Sequence, residues 1–415
     1  MLQADAHPND RTAQTELLAL AQQSGLRVQG GRLLRTSSRF CLGVEHGDYN
    51  GTELFGVGTD RFLWTLWRQN DLGVVRLFSG TFANEGVVQF TPGKTPAKRS
   101  PEVHSRWARF PLGVDHVLQR EGYRLSRGID LVLHSDIPGG GMSRSASLCL
   151  NLLTIFLTAN GHRIDDRMRL CELAQQVEND YVGASCGLLD QVMIGFARAG
   201  QGTHFDPAKR SVQHIALGNA APDFRFVALD TGTVRNGLLQ STYTIRRREC
   251  EELTALLAPE FGIRCLAEVR DAALHNRIQL WLKPEHATLA ARLQYLFAAQ
   301  QRFAATLTAW RQGDIQTIGA NFRADGIGLR DLYQVSGPEL ETMCDLARTV
   351  AGVYGERMLG GGDFGASGAI VARFAVPHLR AKVAREYPRL KPLLADRFAV
   401  HELQVVEGIT ELPSA

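Results

Sequence analysis

The sequence lacks the long apolar runs, paired cysteine motifs and one-sided charge that mark several protein classes. No stretch approaches the roughly 18 uninterrupted apolar residues of a transmembrane helix, and the N-terminal segment has no signal-peptide pattern. The seven cysteines include no CxxC pair and no tight His/Cys cluster, which argues against a disulfide scaffold and against a zinc site. We therefore expect a cytoplasmic protein with no membrane partner.

Charge is also nearly balanced, with 46 basic and 43 acidic residues and a net charge of +3. A global positive field of the kind that nucleic-acid binders use is therefore absent, and we expect no nucleic-acid partner. At 415 residues, 44 % of them hydrophobic, the chain falls in the globular class and is long enough for about two or three domains. Any anionic ligand must be held by local groups.

Helices and short strands are interleaved without a regular period, which predicts an α+β fold in two lobes. Another helix is expected near Ser336, a candidate N-cap, with Pro338 in its first turn. The most polar, proline-marked stretch, 205–222, is the candidate linker. The patterns predict helices over 11–24, 148–162, 165–182, 241–257 and 285–312, and strands within 73–80, 86–92 and 128–138.

Two glycine-rich loops, at 135–148 and 357–370, are the first candidates for chemistry. Glycine lets backbone approach a ligand closely, and the helix predicted after the first loop offers free N–H groups, so this loop can cradle an anion. Ser143, Ser145 and Ser147 could donate hydroxyls or bind magnesium. Neither loop is a P-loop, and neither is a GxGxxG motif within a clear βαβ unit; a simple tight turn remains the alternative.

A second candidate is the segment 38–50, "SRFCLGVEHGDYN", which holds Arg39, Glu45, His46 and Asp48. Carboxylates accept hydrogen bonds and imidazole can donate one, so such a group can bind several hydroxyls of a polyol. A plain polar loop is the alternative, while a metal site is disfavoured because His46 is the only nitrogen ligand nearby.

A third candidate is Asp190, which lies in the apolar run "ASCGLLDQVM" at 184–193. Burying an unpaired carboxylate is costly. Asp190 is therefore a helix cap, a paired structural ion or a functional residue, and the run itself does not decide among them.

Six segments in order resemble the galactokinases of the GHMP small-molecule kinase superfamily, over roughly residues 30–375. They are "RFCLGVEHGDYN", "PGGGMSRSASL", "VENDYVGASCGLLDQ", "STYTIRRRECEE", "GLRDLYQVSGPEL" and "RMLGGGDFGASGAIVA". A single glycine loop would be a weak signal, whereas six ordered segments are a strong one.

The resemblance implies the two-lobed GHMP kinase fold. Residues 1–210 would form an N-terminal domain like the second domain of ribosomal protein S5, and residues 211–415 a ferredoxin-like C-terminal domain. ATP would bind in the cleft between them. The implied protein is a monomeric, ATP- and Mg²⁺-dependent enzyme that phosphorylates the anomeric (C1) hydroxyl of galactose or a closely related sugar.

The resemblance also assigns roles to residues of this chain. Asp190 would be the catalytic aspartate, accepting or orienting the proton of the sugar hydroxyl, and Arg39 would stabilise developing negative charge and hold Asp190 ionised. The sugar would contact Glu45, His46, Asp48, Gly187 and Tyr243. ATP would contact Gly139, Gly140, Gly141, Ser143, Arg144, Ser145 and Ala146, and Mg²⁺ would contact Ser145 and Glu178.

The chain departs from the family pattern in four places. Cys41 replaces the asparagine that usually follows the arginine, Arg144 stands between two loop serines, Asp363 lengthens the late glycine loop, and residues 51–61 replace a leucine-proline segment. Two alternatives therefore stay open. One is the same chemistry on N-acetylgalactosamine, arabinose or a heptose, and the other is a non-catalytic sensor of sugar and ATP.

Overall fold

Two β-sheets organise the chain in the computed structural model, which describes residues 7–96, 107–234, 241–282 and 284–413. The first sheet contains eight strands, with the order β12-β1-β2-β5-β3-β4 and the hairpin β6–β7 attached to β2. These strands are β1 (Arg32–Gly43), β2 (Leu54–Asn70), β3 (Val75–Ser79), β4 (Val88–Phe90), β5 (Gly128–Ser135), β6 (Gln201–Asp206), β7 (Ser211–Ala216) and β12 (Ile409–Leu412).

The second sheet has four antiparallel strands in the order β11-β8-β10-β9. Its own core is formed with the helices that cover one of its faces. The strands are β8 (Phe224–Asp230), β9 (Val353–Met358), β10 (Ala366–Ala372) and β11 (Ala399–Leu403). Together with the helices, the two sheets confirm the predicted α+β class.

The helices follow most of the predicted positions. They are α1 (Pro8–Ser24), α2 (Arg109–Arg120), α3 (Arg144–Ala159), α4 (Arg167–Gln176), α5 (Leu189–Gly195), α6 (Thr242–Phe261), α7 (Ala272–Trp281), α8 (Ala287–Gln312), α9 (Ile315–Asp331), α10 (Pro338–Arg348) and α11 (Val376–Leu390). Gly25 ends α1 in the left-handed conformation, as its position in the sequence predicts. α3 is buried on most faces, which is also as expected.

Three local predictions need correction. The helix expected over 165–182 continues beyond α4 only as a π-helical turn, Val177–Val182. The N-cap of α10 is Gly337, because the Ser336 hydroxyl donates to the Glu341 carboxylate instead of to the backbone. Within the predicted strand 86–92, only the three residues of β4 pair.

Sheet pairing bears on the expected division of the chain at residue 210. That position falls in the turn between β6 and β7, which pair from Gln201↔Ala216 to Asp206↔Ser211. The last strand, β12, returns to pair with β1. We propose that the chain leaves the first lobe between β7 and β8, within the stretch 205–222 predicted as a linker or just after it, and comes back at β12.

Two further structural facts complete the description. Among the described residues, no helix is long and apolar enough to cross a membrane. All seven cysteines are free, and five of them are buried.

A buried ion pair joins α1 to the first sheet. The Asp10 carboxylate accepts hydrogen bonds from Arg35 Nη1 at 2.6 Å and from Trp64 Nε1 at 2.8 Å. Substituting Asp10→Ala leaves the Arg35 guanidinium buried without this partner, and we expect a loss of about 3–5 kcal/mol in the free energy of unfolding, measured by urea titration. The control Asp165→Ala removes an exposed partner of Arg163 and should leave stability unchanged. Equal effects of the two substitutions would contradict the role assigned to Asp10.

Candidate active site

Arg39 and Asp190, which are 151 positions apart in the chain, meet at the centre of the candidate site. Arg39 lies on β1 and is 1 % exposed, while Asp190 lies in the first turn of α5 with about a third of its side chain exposed (32 %). Arg39 Nε donates to Asp190 Oδ1 at 2.8 Å, and Nη2 is also 2.8 Å from that oxygen. The carboxylate in the apolar run is therefore paired and partly exposed.

Electrostatics keep this arginine charged. Burial lowers the pKa of Arg39, but the charges of Asp190 and Glu45 raise it more, so that the pKa is above its usual value. A fixed positive charge thus stands beside the Asp190 carboxylate.

The two glycine loops pack against each other beside this pair. Arg39 Nη1 donates to the Gly141 carbonyl at 2.6 Å. A Cβ atom on Gly140 would lie 2.9 Å from the Gly365 Cα, and a Cβ on Gly141, whose φ is +80°, would lie 3.0 Å from the Ala366 backbone nitrogen. Only glycine permits this approach of the two loops, so the late loop closes over the early one.

Two serines of the early loop, Ser143 and Ser147, differ in their hydrogen bonding. Ser143 has φ +62°, and its buried hydroxyl has no hydrogen-bond partner among the described residues. Ser147, in contrast, lies in the core with its hydroxyl 2.8 Å from Thr36 Oγ1. The expectation that Ser147 could serve a ligand is therefore wrong, because its hydroxyl joins α3 to β1.

Arg144 opens α3 and faces the second lobe. Burial lowers its pKa, and the nearby Asp230 carboxylate, at the end of β8, partly offsets that effect. The Arg144 side chain is thus partly buried near an acid of the other lobe, next to the glycine loops.

Glu178 and Ser145 form the candidate metal position. Glu178 is buried in the π-helical turn, and Gln191 Nε2 donates to its Oε2 at 2.6 Å. Burial raises the pKa of Glu178 to about 7; the Ser145 hydroxyl opposes the shift, and the Asp190 charge adds to it. Mg²⁺ prefers oxygen ligands and commonly takes one or two carboxylates together with substrate phosphates, so these oxygens fit a phosphate-bound magnesium ion.

Among the described residues, protein side chains alone do not form a complete metal site. Over the ranges that the structure describes, no three His, Cys, Asp or Glu side chains gather as they would around an ion. A magnesium ion here would need oxygens of a bound nucleotide.

Asp48 lies directly against the turn that leads to Asp190. A Cβ atom on Gly187 would be 2.2 Å from Asp48 Oδ2, and the Leu189 backbone N–H donates to the same oxygen at 3.4 Å. Burial, and then the charge of Asp190, raise the pKa of Asp48 to about 6, although backbone donors oppose the shift. Gly187 therefore makes room for this carboxylate.

His46 is surrounded by tyrosines. Its backbone adopts φ +60°, and its ring centroid lies 5.2 Å from that of Tyr243, which is in the first turn of α6. His46 Nδ1 is 2.8 Å from the Tyr49 hydroxyl. The structure thus brings Glu45, His46 and Asp48 together with Gly187, Tyr243 and Asp190.

Arg357 is a site residue that the sequence reasoning missed. This buried arginine on β9 places Nη1 3.0 Å from Glu45 Oε2, and its Nη2 donates to the Cys41 carbonyl at 2.9 Å. Burial raises the pKa of Glu45, whereas the charges of Arg357 and Arg39 oppose that shift. The only signal in the sequence was its position as the first residue of the late glycine loop.

Two of the departures from the family pattern also find a structural place. Cys41 is buried beside Glu45, and its carbonyl binds Arg357. The Asp363 carboxylate accepts the Thr242 backbone N–H at 2.9 Å, which caps the first turn of α6, where Tyr243 lies. The extra residue of the late loop thus holds the helix that carries Tyr243.

Comparison with known proteins agrees with this geometry. The family model for the GHMP kinases N terminal domain matches residues 111–198. A galactokinase from Chloroflexus aurantiacus is 33 % identical over 358 residues, covering 85 % of this chain and 86 % of its own. A galactokinase from Bacillus subtilis is 28 % identical over 392 residues, covering 92 % and 95 %.

Solved structures extend the agreement to the whole fold. The Lactococcus lactis galactokinase complexed with galactose matches with a TM-score of 0.86 and 26 % identity, covering 97 % of this chain and 100 % of that one. The Methanococcus jannaschii mevalonate kinase, at 12 % identity and a TM-score of 0.60, shares the fold alone.

The chain therefore belongs to the galactokinase family of the GHMP kinases, and it is an enzyme of the sugar 1-kinase type. The expected two-lobed GHMP kinase fold is confirmed.

The contact between Arg357 and Glu45 should be visible in unfolding experiments. Arg357→Met leaves the Glu45 carboxylate buried without its cationic partner, and we expect a loss of about 3–5 kcal/mol in the free energy of unfolding. Glu45→Gln in the same background should cost less than it does alone, with a coupling energy of about 1–3 kcal/mol in a double-mutant cycle. Strictly additive effects in urea titrations would show that the two side chains do not interact.

Proposed function

We propose that this enzyme transfers the γ-phosphoryl group of ATP to the anomeric hydroxyl of galactose or a closely related sugar. The observation that carries the proposal is the buried Arg39, which binds the Asp190 carboxylate and the Gly141 carbonyl at once. One side chain thereby links the candidate base to the candidate phosphate loop. Phosphoryl transfer depends mainly on such positioning and on stabilisation of charge.

In the proposed reaction, the C1 oxygen of the sugar forms a bond to the γ-phosphorus while the bond between that phosphorus and the β,γ-bridging oxygen breaks. ADP leaves, and Asp190 accepts or orients the hydroxyl proton. Arg39 pairs with the Asp190 carboxylate and stabilises the negative charge that develops on the transferred group. The partial exposure of Asp190 supports this role, because its second oxygen can reach a ligand.

The sugar would lie against Glu45, His46, Asp48, Gly187 and Tyr243. Two carboxylates and an imidazole can satisfy several hydroxyls, and a site that pairs hydroxyls penalises analogues that leave its polar groups unpaired. Glu45 is held by Arg357 and Asp48 by the Leu189 backbone, so both acceptors are preorganised. This arrangement supports galactose over sugars that lack one of its hydroxyls.

ATP would lie along the early glycine loop, with Gly139, Gly140, Gly141, Ser143, Arg144, Ser145 and Ala146 around its phosphates. The buried Ser143 hydroxyl and the N-terminal turn of α3 can donate to phosphate oxygens. Glu178 and Ser145 would hold Mg²⁺ together with the nucleotide, and the bound ion would neutralise phosphate charge.

We further propose that the protein acts as a monomer in the cytoplasm. All the residues assigned above lie on one chain, so the site needs no second copy. The use of ATP and the seven unpaired cysteines support a reducing intracellular compartment.

The first test is ADP release with a panel of hexoses, pentoses and amino sugars. We expect galactose to give the highest kcat/KM, and Asp190→Ala to lower kcat by about 10²- to 10⁴-fold. Asp165→Ala, which removes an exposed carboxylate, should retain full turnover. If the protein bound sugar and ATP but showed no Asp190-dependent ADP release, the proposed kinase activity would be rejected in favour of a non-catalytic sensor.

The second test is the pH dependence of kcat/KM for galactose. Because the pKa of Asp48 is raised to about 6, this group is ionised and accepts hydrogen bonds above that pH, and it becomes protonated below it. We therefore expect kcat/KM to fall as the pH drops through about 6. In Asp48→Asn, kcat/KM should be lower overall and its fall near pH 6 should be absent. A fall that persists unchanged would assign the titration to another group.

A further inference from the structure

A continuous chain of hydrogen bonds runs from His46 away from the sugar-binding residues and into the core. His46 Nδ1 is 2.8 Å from the Tyr49 hydroxyl, which is 2.8 Å from the Tyr333 hydroxyl, and that hydroxyl is 3.2 Å from Cys250 Sγ. Tyr333 and Cys250 are buried, and Tyr333 follows α9 while Cys250 lies in α6. The chain thus connects the first-lobe segment that carries His46 to two other elements.

The two phenols and the thiol of this chain keep their protons. Burial raises the pKa of the Tyr49 and Tyr333 phenols well above their usual value, and it raises the pKa of the Cys250 thiol to about 11. Each of these three groups therefore has one proton to donate. The direction in which the hydrogen bonds run depends on the acceptors at the two ends.

The chemistry of the two ends decides the direction. At the inner end, Cys250 sulfur is a weak acceptor, whereas the imidazole nitrogen of His46 at the outer end is a strong one. Asn50 Nδ2 also approaches the Tyr333 oxygen, at 3.4 Å, so this oxygen already acts as an acceptor. The favoured arrangement has Tyr333 donating to Tyr49, and Tyr49 donating to His46 Nδ1.

We propose that Tyr333 and Tyr49 are positioning residues that hold His46 as the neutral tautomer with its proton on Nε2. A neutral imidazole that accepts at Nδ1 must carry its proton on the other nitrogen. His46 then presents a single donor to the sugar, beside the carboxyl groups of Glu45 and Asp48. The inference rests on the proposed sugar kinase function and names the source of its selectivity.

This assignment has a consequence for substrate choice. A fixed Nε2–H donor strengthens the binding of a sugar whose oxygen accepts at that place. It does not strengthen the binding of an analogue that lacks this oxygen. If the tyrosine chain were broken, both tautomers of His46 would become accessible. The contribution to binding would then decrease for that one sugar hydroxyl only.

The test compares galactose with its 2-, 3-, 4- and 6-deoxy derivatives in the wild type and in Tyr333→Phe, which removes a single oxygen atom. We expect the variant to raise KM for galactose about fivefold, more than it lowers kcat, as for the loss of one hydrogen bond. We also expect the preference for galactose over one deoxy sugar to shrink, while the preferences over the other three stay unchanged.

A matched control is Tyr387→Phe, which removes the hydroxyl of another buried tyrosine, bonded to the Thr231 carbonyl at 2.9 Å in the second core. It should leave all four preferences unchanged. A parallel rise of KM for every sugar in Tyr333→Phe, or no change for any, would overturn the proposal, because a purely structural effect does not select one hydroxyl.

The tautomer itself can be read without turnover. Two-bond ¹⁵N–¹H spectra of the full chain, with the His46 signal assigned by its loss in His46→Gln, should show the Nε2–H form in the wild type and a mixture in Tyr49→Phe. An Nδ1–H form in the wild type would refute the relay. Because this measurement needs no substrate, a chain that failed to phosphorylate any sugar would count against the proposed function while the relay was still tested on its own.

Discussion

The candidate site depends on one buried cation, the guanidinium of Arg39. Removing an arginine from water costs several kcal/mol unless its donors are bonded and its charge is paired. Its partners here come from segments that are far apart in the chain, namely Asp190 on α5 and the Gly141 carbonyl in the early glycine loop. Arg39 can therefore be buried only when segment 38–50, the early glycine loop and the first turn of α5 are all in place.

The second lobe completes this arrangement through close contacts. Gly140 and Gly365 approach so closely that neither could carry a side chain without displacing the other loop. Arg357, from the second sheet, pairs with Glu45 of the first lobe. The Asp363 carboxylate caps the helix that carries Tyr243. The geometry of the proposed sugar-binding residues is thus set by packing between lobes, and no single loop could hold it.

Several features could be predicted from the sequence because their causes are local. Apolar spacing located α1 and α8 to within a few residues, mixed charges located α6, and Gly25 marked the end of α1. The order of the six motif segments also named the family. Where local signals compete, prediction failed. Ser336 bonds to a neighbouring carboxylate rather than to the start of α10, and the helix after α4 widens into a π-helical turn at Glu178.

The pairing of Arg39 with Asp190 was implied by the family resemblance, but other partners that meet only in the folded chain could not be predicted. Tyr333 lies 284 positions from Tyr49, and Arg357 lies 316 positions from Cys41, so no spacing or periodicity relates them. The sequence by itself determined the elements, the glycine loops and the residue types available for phosphoryl transfer, since these follow from short-range patterns. Only the tertiary structure decided that Arg357 pairs with Glu45 and that Tyr49 and Tyr333 connect to His46, because burial and charge pairing act between segments that the fold alone brings together.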